Sequence, residues 1–217
     1  MQWINLGLMD YAKCFELQQE LHQGVLEERV EDTLLFVQHP KVLTLGANFH
    51  EENLLFSREQ YEKMGIQVVS TDRGGDVTYH GPGQLVIYPI FNLHHFERDL
   101  HKWLRSLEEL IIETVRLLGL IGRRFPPHTG VWIEDKKVAA IGIKVRKWVN
   151  LHGIALNCNN DLSPFDLVVP CGIHGYGVTS LSRELGKNVG PDDTILHVLQ
   201  ATQKVFHESP KAAHAGG

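Results

Sequence analysis

The sequence predicts an α/β or α+β fold around a mixed sheet, and three observations lead there. Strand-like apolar runs crowd the middle of the chain, between Thr33 and Cys158. Helical periodicities fall at irregular intervals among and around them. The regular strand–helix alternation of a dinucleotide-binding domain is missing. At 217 residues, 43% of them hydrophobic and 22% charged, the chain can build one core. A single domain is therefore expected over 1–208, with a flexible tail over 209–217.

Taken in order, the elements follow from local pattern. Between Asp10 and Glu28, Tyr11, Cys14, Leu17, Leu21 and Val25 recur at helical spacing, which predicts an amphipathic helix. "TLLFVQHP" and "VLTLGA" are short β-rich runs joined through His39-Pro40, and both read as strands. A short helix is expected over Ser57 to Lys63, then a strand at "IQVVS" and another at "QLVIYPI". Leu100, Leu104, Leu107, Ile111, Val115 and Leu118 mark the longest helix, ending near Gly119. "GVWIEDKKVAAIGIKV" reads as two strands turning at Asp135 and Lys136, and "HGIALNC" as a third. "GPDDTILHVLQATQKVF" is a last helix, with Asp192 and Asp193 in its first turn and Lys204 near its end.

Composition removes several functional classes. A net charge of −5 leaves no basic footprint for duplex nucleic acid. No apolar run approaches the roughly 20 residues that span a bilayer. "MQWINLGLMDYAKC" lacks the charged start and apolar block of a signal peptide. Three cysteines without paired spacing argue for a reducing compartment, so a cytoplasmic protein is expected. Thirteen histidines occur without HExxH, CxxC or a paired Cys/His cluster, and no metal is expected.

Three stretches carry chemistry. "RGGDVTYHGPGQLVIYPI" packs Gly74, Gly75, Gly81 and Gly83 between Arg73 and the following strand. Such density suits either tight turns flanking a hairpin or a backbone that approaches a ligand. It is neither of the glycine patterns that cradle a nucleotide. In the strand beginning at Lys137, alternation puts that lysine on the face of Ala139, Ile141, Ile143 and Val145, provided no bulge intervenes. An ammonium there either snorkels to water or stands beside an anion. Cys171 follows Pro170, precedes Gly172 and has His174 nearby. It is either an incidental loop residue or a reachable nucleophile needing a cation to lower its pKa. Cys14 and Cys158 fit packing roles. His128 and His152 read as hydrogen-bonded loop histidines or pocket lining.

Together "RGGDVTYHGPGQL", "KVAAIGIKV", "LHGIALNCNNDLSPF" and "PCGI" resemble, in order, the octanoyl-[acyl-carrier-protein]:protein octanoyltransferases, also called lipoate-protein ligase B. The resemblance covers about Thr33 to Leu181. It implies the biotin/lipoate protein ligase catalytic fold: one α/β domain whose mixed sheet has flanking helices and a smaller accessory sheet. It implies Cys171 as nucleophile, with Lys137, thirty-four positions upstream, as its partner. The acyl chain and its thioester fall to three segments: Arg73, Gly74, Gly75, Asp76, Val77, Thr78, Tyr79 and His80; Ala140, Ile141 and Gly142; Gly153, Ile154 and Ala155. Asp76 stands where relatives carry Gln or Glu, so its charge is given no role.

The implied reaction moves octanoate from octanoyl-acyl carrier protein, through a Cys171 thioester, to a lysine on lipoyl domains. The acceptors are those of 2-oxoacid dehydrogenase complexes and the glycine cleavage H protein. Neither ATP nor a metal is implied, because one thioester exchanges for another. Oxyanion donors are expected around Gly172 or in the glycine-rich loop. The proton leaving the acceptor amine has two candidate destinations, neutral Lys137 or His80. Arg123, Arg124, Lys144, Arg146 and Lys147 are expected to form a basic patch for the acidic carrier. The rivals are an ATP-dependent lipoate or biotin ligase, an enzyme that moves octanoate between protein lysines through a cysteine at a different location, and an inactive acyl-binding module.

Overall fold

Residues Thr33–Gln38 (β2) are apolar at four consecutive positions because both of their faces are covered. Leu34 and Phe36 belong to one core cluster, Leu35 and Val37 to another. The computed structural model describes residues 1–96, 98–169, 177–207 and, as backbone only, 211–212. Elements in chain order are β1 (Gln2–Leu8), α1 (Tyr11–Leu26), β2, β3 (Val42–Leu45), α2 (Arg58–Lys63), β4 (Gln67–Ser70), β5 (Val77–His80) and β6 (Gln84–Ile90). They continue with α3 (Leu100–Leu117), β7 (Arg123–Phe125), β8 (His128–Ile133), β9 (Lys136–Arg146) and β10 (Val149–Asn157). The chain closes with β11 (Gly177–Val178), α4 (Leu181–Leu185), α5 (Pro191–Phe206) and β12 (Lys211–Ala212).

Among the described residues these form a nine-stranded mixed sheet in the order β12-β1-β2-β6-β10-β9-β8-β7, with β11 beside the start of β9. A second sheet has the order β4-β3-β5. The two runs flanking His39-Pro40 are strands of different sheets, so that dipeptide is the crossover between them. Sequence reading missed β1, whose Trp3, Ile4 and Leu6 lie along the parallel partner of β2. It also missed β7, α4 and the two-residue β12, which pairs with Gln2 and Trp3. The remainder of the expected 209–217 tail lies outside the described residues.

Helix starts are set by side-chain caps. Asp10 accepts from the Ala12 and Lys13 amides, Asp99 from those of His101 and Lys102, and Ser57 forms a capping box with Gln60. Helices α3 and α5 cover one face of the large sheet. Their Leu107, Leu110, Ile111, Ile195 and Val198 join Phe36, Leu85, Ile87, Ile154 and Leu156 in the main core. Helix α1 and the small sheet share the opposite face. Cys14 and Val25 of α1 pack there on Leu35, Val37, Val86, Tyr88 and Leu151. The small sheet has its own cluster around Leu43, Leu45, Tyr61, Val77, Tyr79 and Phe165. A hollow remains between the small sheet, α1 and the centre of the large sheet, lined from all three.

Gly153 lies in the middle of that sheet. A Cβ there would come within 2.2 Å of the Ile87 carbonyl oxygen on β6. Gly153→Ala is therefore expected to lower unfolding free energy by at least about 2 kcal/mol through overpacking. The urea midpoint checks this, and an unchanged midpoint would mean that β6 and β10 yield freely.

Candidate active site

Small side chains form the floor of the hollow. On the face that carries Val86 and Tyr88 of β6, Ala155 stands opposite Ala140 and Gly153 opposite Gly142. A cross-strand row Val86–Ala155–Ala140 results, with the pair Gly153–Gly142 beside it, and these four positions on β9 and β10 have one side-chain carbon or none. That leaves a shallow apolar trough in an otherwise filled layer. The glycine-rich loop roofs it. The Gly74 amide donates to the Ile143 carbonyl at 2.8 Å. A Cβ on Gly142 would lie 2.7 Å from the Gly74 oxygen, and one on Gly46 would lie 2.2 Å from the Gly75 oxygen. Glycine is needed at both places because the loop backbone presses against them. With its N–H spent on Ile143, Gly74 supplies no oxyanion donor.

Arg73, Gly74, Gly75, Thr78, His80, Ala140, Ile141, Gly142, Gly153, Ile154 and Ala155 all line this pocket. Three residues of the same predicted segment turn elsewhere. Val77 and Tyr79 pack into the small sheet's core. The Asp76 carboxylate takes hydrogen bonds from the Asn53 side chain and the Val77 amide. Sequence reading missed Tyr11, Val86 and Tyr88, which also line the pocket. Val86 and Tyr88 were within reach of period-2 reasoning on "QLVIYPI", since they alternate with the core residues Leu85 and Ile87.

Lys137 stands on the other face from the one strand alternation assigns to it. Val131 pairs with Ala139 and Trp132 with Lys137, one step on β8 against two on β9. The extra residue, Val138, is a bulge, and both Val138 and Ala139 belong to the helix-side core. Beyond it the alternation is reversed. Lys137 therefore leaves the face of Ala139, Ile141, Ile143 and Val145 and joins that of Ala140, Gly142 and Trp132. Its ammonium lies 5.0 Å from the Trp132 ring centroid, a cation–π contact. Lys137 also lines a second groove, which shares Gly74, Gly75, Ala140, Ile141 and Gly142 with the first and adds Leu100, Leu104, Pro127, His128 and Thr129.

Cys171, with Gly172 and His174, lies outside the described residues. Its flanks are anchored. The Val169 amide donates to the Asn53 carbonyl at 2.9 Å, and after the segment Gly177 and Val178 pair in parallel with Lys136 and Lys137. Cys14 and Cys158 are fully buried, and desolvation pushes both thiols up to about 12, which makes them poor nucleophiles.

His80 is wholly buried and both ring nitrogens are engaged. Gln84 uses its amide N–H groups on Tyr79 O and Asn157 Oδ1, so its oxygen accepts from His80 Nδ1 at 2.8 Å. Thr44 Oγ1, which accepts from Arg73, donates to His80 Nε2 at 3.3 Å. Burial first, and neighbouring His39 second, bring the His80 pKa down to about 3. A neutral ring with both nitrogens occupied is a poor proton acceptor, which removes His80 from that role. His152 is in strand β10, not a loop, with a left-handed backbone at φ 58°. Its ring stacks on Phe15 at 5.0 Å and its Nε2 bonds Asp72 Oδ1 at 2.8 Å.

The five cations proposed as one basic patch do not meet. Arg123 stands at the level of Trp132 and Lys137, whereas Lys144 to Lys147 lie at the far end of β9. At about 3.3 Å per residue that is more than 20 Å of strand. Arg124 pairs with Glu108 and Glu109, and Arg146 with Asp72.

A profile described as "Lipoyl protein ligase A/B catalytic domain" matches residues 10–203. The octanoyltransferase of Roseiflexus sp. (strain RS-1) is 44% identical over 216 residues, covering 98% of this chain and 90% of that protein. The octanoyltransferase of Rubrobacter xylanophilus is 49% identical over 185 residues, covering 84% and 83%. Among solved structures, lipoate-protein ligase A bound with ATP superposes with a TM-score of 0.79 at 18% identity, covering 99% of this chain and 89% of that one. The last likeness is one of fold.

The buried histidines set the acid limit of the fold. Folding lowers the pKa of His80 to about 3 and also lowers those of His22, His39 and His152, each chiefly by desolvation. The unfolded chain takes up protons at these sites near pH 6.5, before the folded one does. Their contribution is complete above about pH 6.5 and is lost progressively toward pH 3, at roughly 1–2 kcal/mol per pH unit for each group inside its window. Urea midpoints are expected to fall steadily from pH 6.5 to 4.5, and a flat profile over that range would contradict neutral buried imidazoles.

Proposed function

Because the chain belongs to the octanoyltransferases of the lipoyl protein ligase A/B family, we propose that it transfers octanoate from an acyl carrier protein to lipoyl-domain lysines through a thioester on Cys171. The observation that carries this reading is the bulge at Val138. It turns the Lys137 ammonium onto the acyl-trough face and next to β11, the strand that follows the Cys171 segment. A cation at that place lowers the pKa of a thiol brought to it, and the other two thiols are buried and inert.

In the first step the Cys171 thiolate attacks the octanoyl thioester of the carrier. A carbon–sulfur bond forms to Cys171 and the carrier's thiolate leaves. The acyl chain occupies the trough over Ala140, Gly142, Gly153 and Ala155. At about 0.8 kcal/mol per buried CH₂, seven carbons beyond the carbonyl contribute roughly 5 kcal/mol. Tyr11, His80 and Tyr88 wall the trough on its β6 side and limit its width. In the second step an acceptor lysine displaces the thiol and forms a stable amide. The carriers are acyl carrier protein as donor and, as acceptors, lipoyl domains of 2-oxoacid dehydrogenase complexes and the glycine cleavage H protein. Thioester exchange is close to isoenergetic, so this route uses neither ATP nor a metal.

The ATP-dependent ligase reading shares the fold but has no use for a reactive thiol. Octanoyl carrier protein plus lipoyl domain is expected to give octanoylated domain at the same rate with and without ATP. A strict ATP requirement would favour the ligase. Cys171→Ala is expected to lower transfer by at least about 10³-fold. Intact mass of the native enzyme mixed with donor should show one added octanoyl group, mapping to Cys171. An adduct on Cys14 or Cys158 would displace the proposed nucleophile.

Lys137→Met removes the cation while keeping the stem. The pH at which iodoacetamide half-maximally alkylates Cys171 is expected to rise by at least about one unit, because a neighbouring charge of this kind shifts a pKa by roughly 1–3 units. An unshifted alkylation profile would separate Lys137 from the thiol.

A further inference from the structure

The floor of the trough decides which way an acyl chain runs in it. Along the strands the small positions end after two residues. Beyond Gly142 and Gly153 the same face carries Lys144 and Leu151, and beyond Ala155 it carries Asn157. Across the strands the floor continues from Ala140 and Gly142 on β9, over Gly153 and Ala155 on β10, to Val86 and Tyr88 on β6. The β9 end is the one shared with the second groove. A chain entering there runs toward β6, and the rings that limit the trough in that direction meet its methyl end.

Those rings form one braced group. Tyr11, His80 and Tyr88 line the trough, and His39 touches all three. The His39 ring lies 5.3 Å from that of Tyr11, 5.9 Å from that of His80 and 6.0 Å from that of Tyr88. Tyr11 also stacks on His80 at 6.1 Å. The Met9 carbonyl can only accept, so His39 Nδ1 donates to it at 2.7 Å. That leaves Nε2 to accept from the Tyr88 hydroxyl at 2.9 Å. The Tyr11 hydroxyl donates to Thr71 Oγ1 at 3.2 Å. All four rings are less than a tenth exposed. Such a wall cannot swing aside without breaking a buried hydrogen bond.

We propose that these four rings are the stop that sets acyl length at eight carbons, with Tyr88 meeting the methyl end and His39 as the positioning residue that holds Tyr88. The inference deepens the octanoyl-transfer reading above and rests on the acyl chain lying in the trough. Two strand spacings separate β9 from β6, about 9–10 Å. Three bonds of an extended chain span about 3.5 Å, so the seven bonds from carbonyl carbon to methyl in an octanoyl group span about 8 Å. Eight carbons therefore reach the wall. A twelve-carbon chain runs roughly 5 Å further and meets rings that cannot yield.

Competition between donors tests this on the full chain. Octanoyl and dodecanoyl carrier protein are supplied in equal amounts with lipoyl domain, and intact mass gives the ratio of the two acylated domains. One extra methylene in a fitted pocket is worth about 10–200-fold, so the native enzyme is expected to favour octanoyl at least about tenfold. Tyr88→Leu shortens the stop and is expected to bring that ratio down at least about tenfold. Tyr88→Phe and His39→Leu each cut the brace and keep the ring at position 88. The ratio is expected to fall about threefold in each and no further in the double variant, because both changes remove the same bond. Tyr88→Phe differs by one oxygen, so it reports even where leucine costs the fold. A native enzyme that uses both donors equally, or an unchanged ratio in Tyr88→Leu, would overturn the stop. An unchanged ratio in Tyr88→Phe, or losses that multiply in the double variant, would remove His39 from its role. Slower turnover at a constant ratio counts against the assignment, since a general loss of structure does that much. The adduct on the native enzyme reads the acyl-enzyme separately: a ratio that shifts as expected with no octanoyl group on Cys171 would keep the stop and discard the thioester.

Discussion

One inserted residue decides which side of the sheet Lys137 serves. In an unbroken β9, alternation would turn that ammonium toward α3 and α5, into a layer of Leu, Ile and Val side chains where an unpaired cation is heavily penalised. The bulge places Val138 and Ala139 together on the helix side, and the next residue emerges on the trough side. Bulges recur where a side chain must be re-aimed. Here the re-aimed group sits over Trp132, next to an open lane at Gly130, and at the junction of two grooves that share one floor. The second groove and β11 both adjoin that charge.

A buried polar chain keeps these parts in register. Arg73 donates to Thr44, Thr44 to His80, His80 to Gln84, and Gln84 to Asn157. Asn157 then donates to the Thr179 carbonyl at 3.0 Å, and the Thr179 amide bonds the Lys137 carbonyl at 3.0 Å. The chain crosses from the small sheet, through β6 and β10, to the residue that follows β11. All six side chains are less than a tenth exposed, so breaking any link would leave a buried group unsatisfied. Such a chain fixes tautomers and strand register together. The neutral state of His80 is one of its consequences.

Most of the architecture was legible because burial leaves a periodic trace. The long helices and the central strands follow from it. Elements of two or three residues, such as β11 and β12, carry no period and were missed. The site was legible where glycines cluster and where residues resemble those of a family. It was misread where a single insertion shifted the phase. Nothing in "EDKKVAAIG" marks Val138 as the bulged residue, because it is as apolar as the alanines after it and the displacement arises from pairing with β8. The basic patch failed for a related reason. Arg123 and Arg124 stand on β7 at the level of Lys137, seven positions along β9 from Lys144, and charges so separated cannot act on one spot. His80 seemed available only while its partners were unknown, since Gln84 and Thr44 close both nitrogens.

The fold alone does not choose between transferase and ligase. An ATP-bound ligase superposes on nearly the whole of this chain at 18% identity, so the two have a fold in common. An ammonium lining a groove stabilises any anion brought to it, whether a phosphate or a thiolate. What differs is the source of the activated acyl group. When activation arrives as a thioester, the protein needs only to exchange one sulfur for another and then deliver an amine. On the proposed route that requires a reachable thiol and a cation beside it. Burial has disabled Cys14 and Cys158, and the hydrogen-bond chain has disabled His80. Among the described residues, Lys137 lines the groove that shares its floor with the trough.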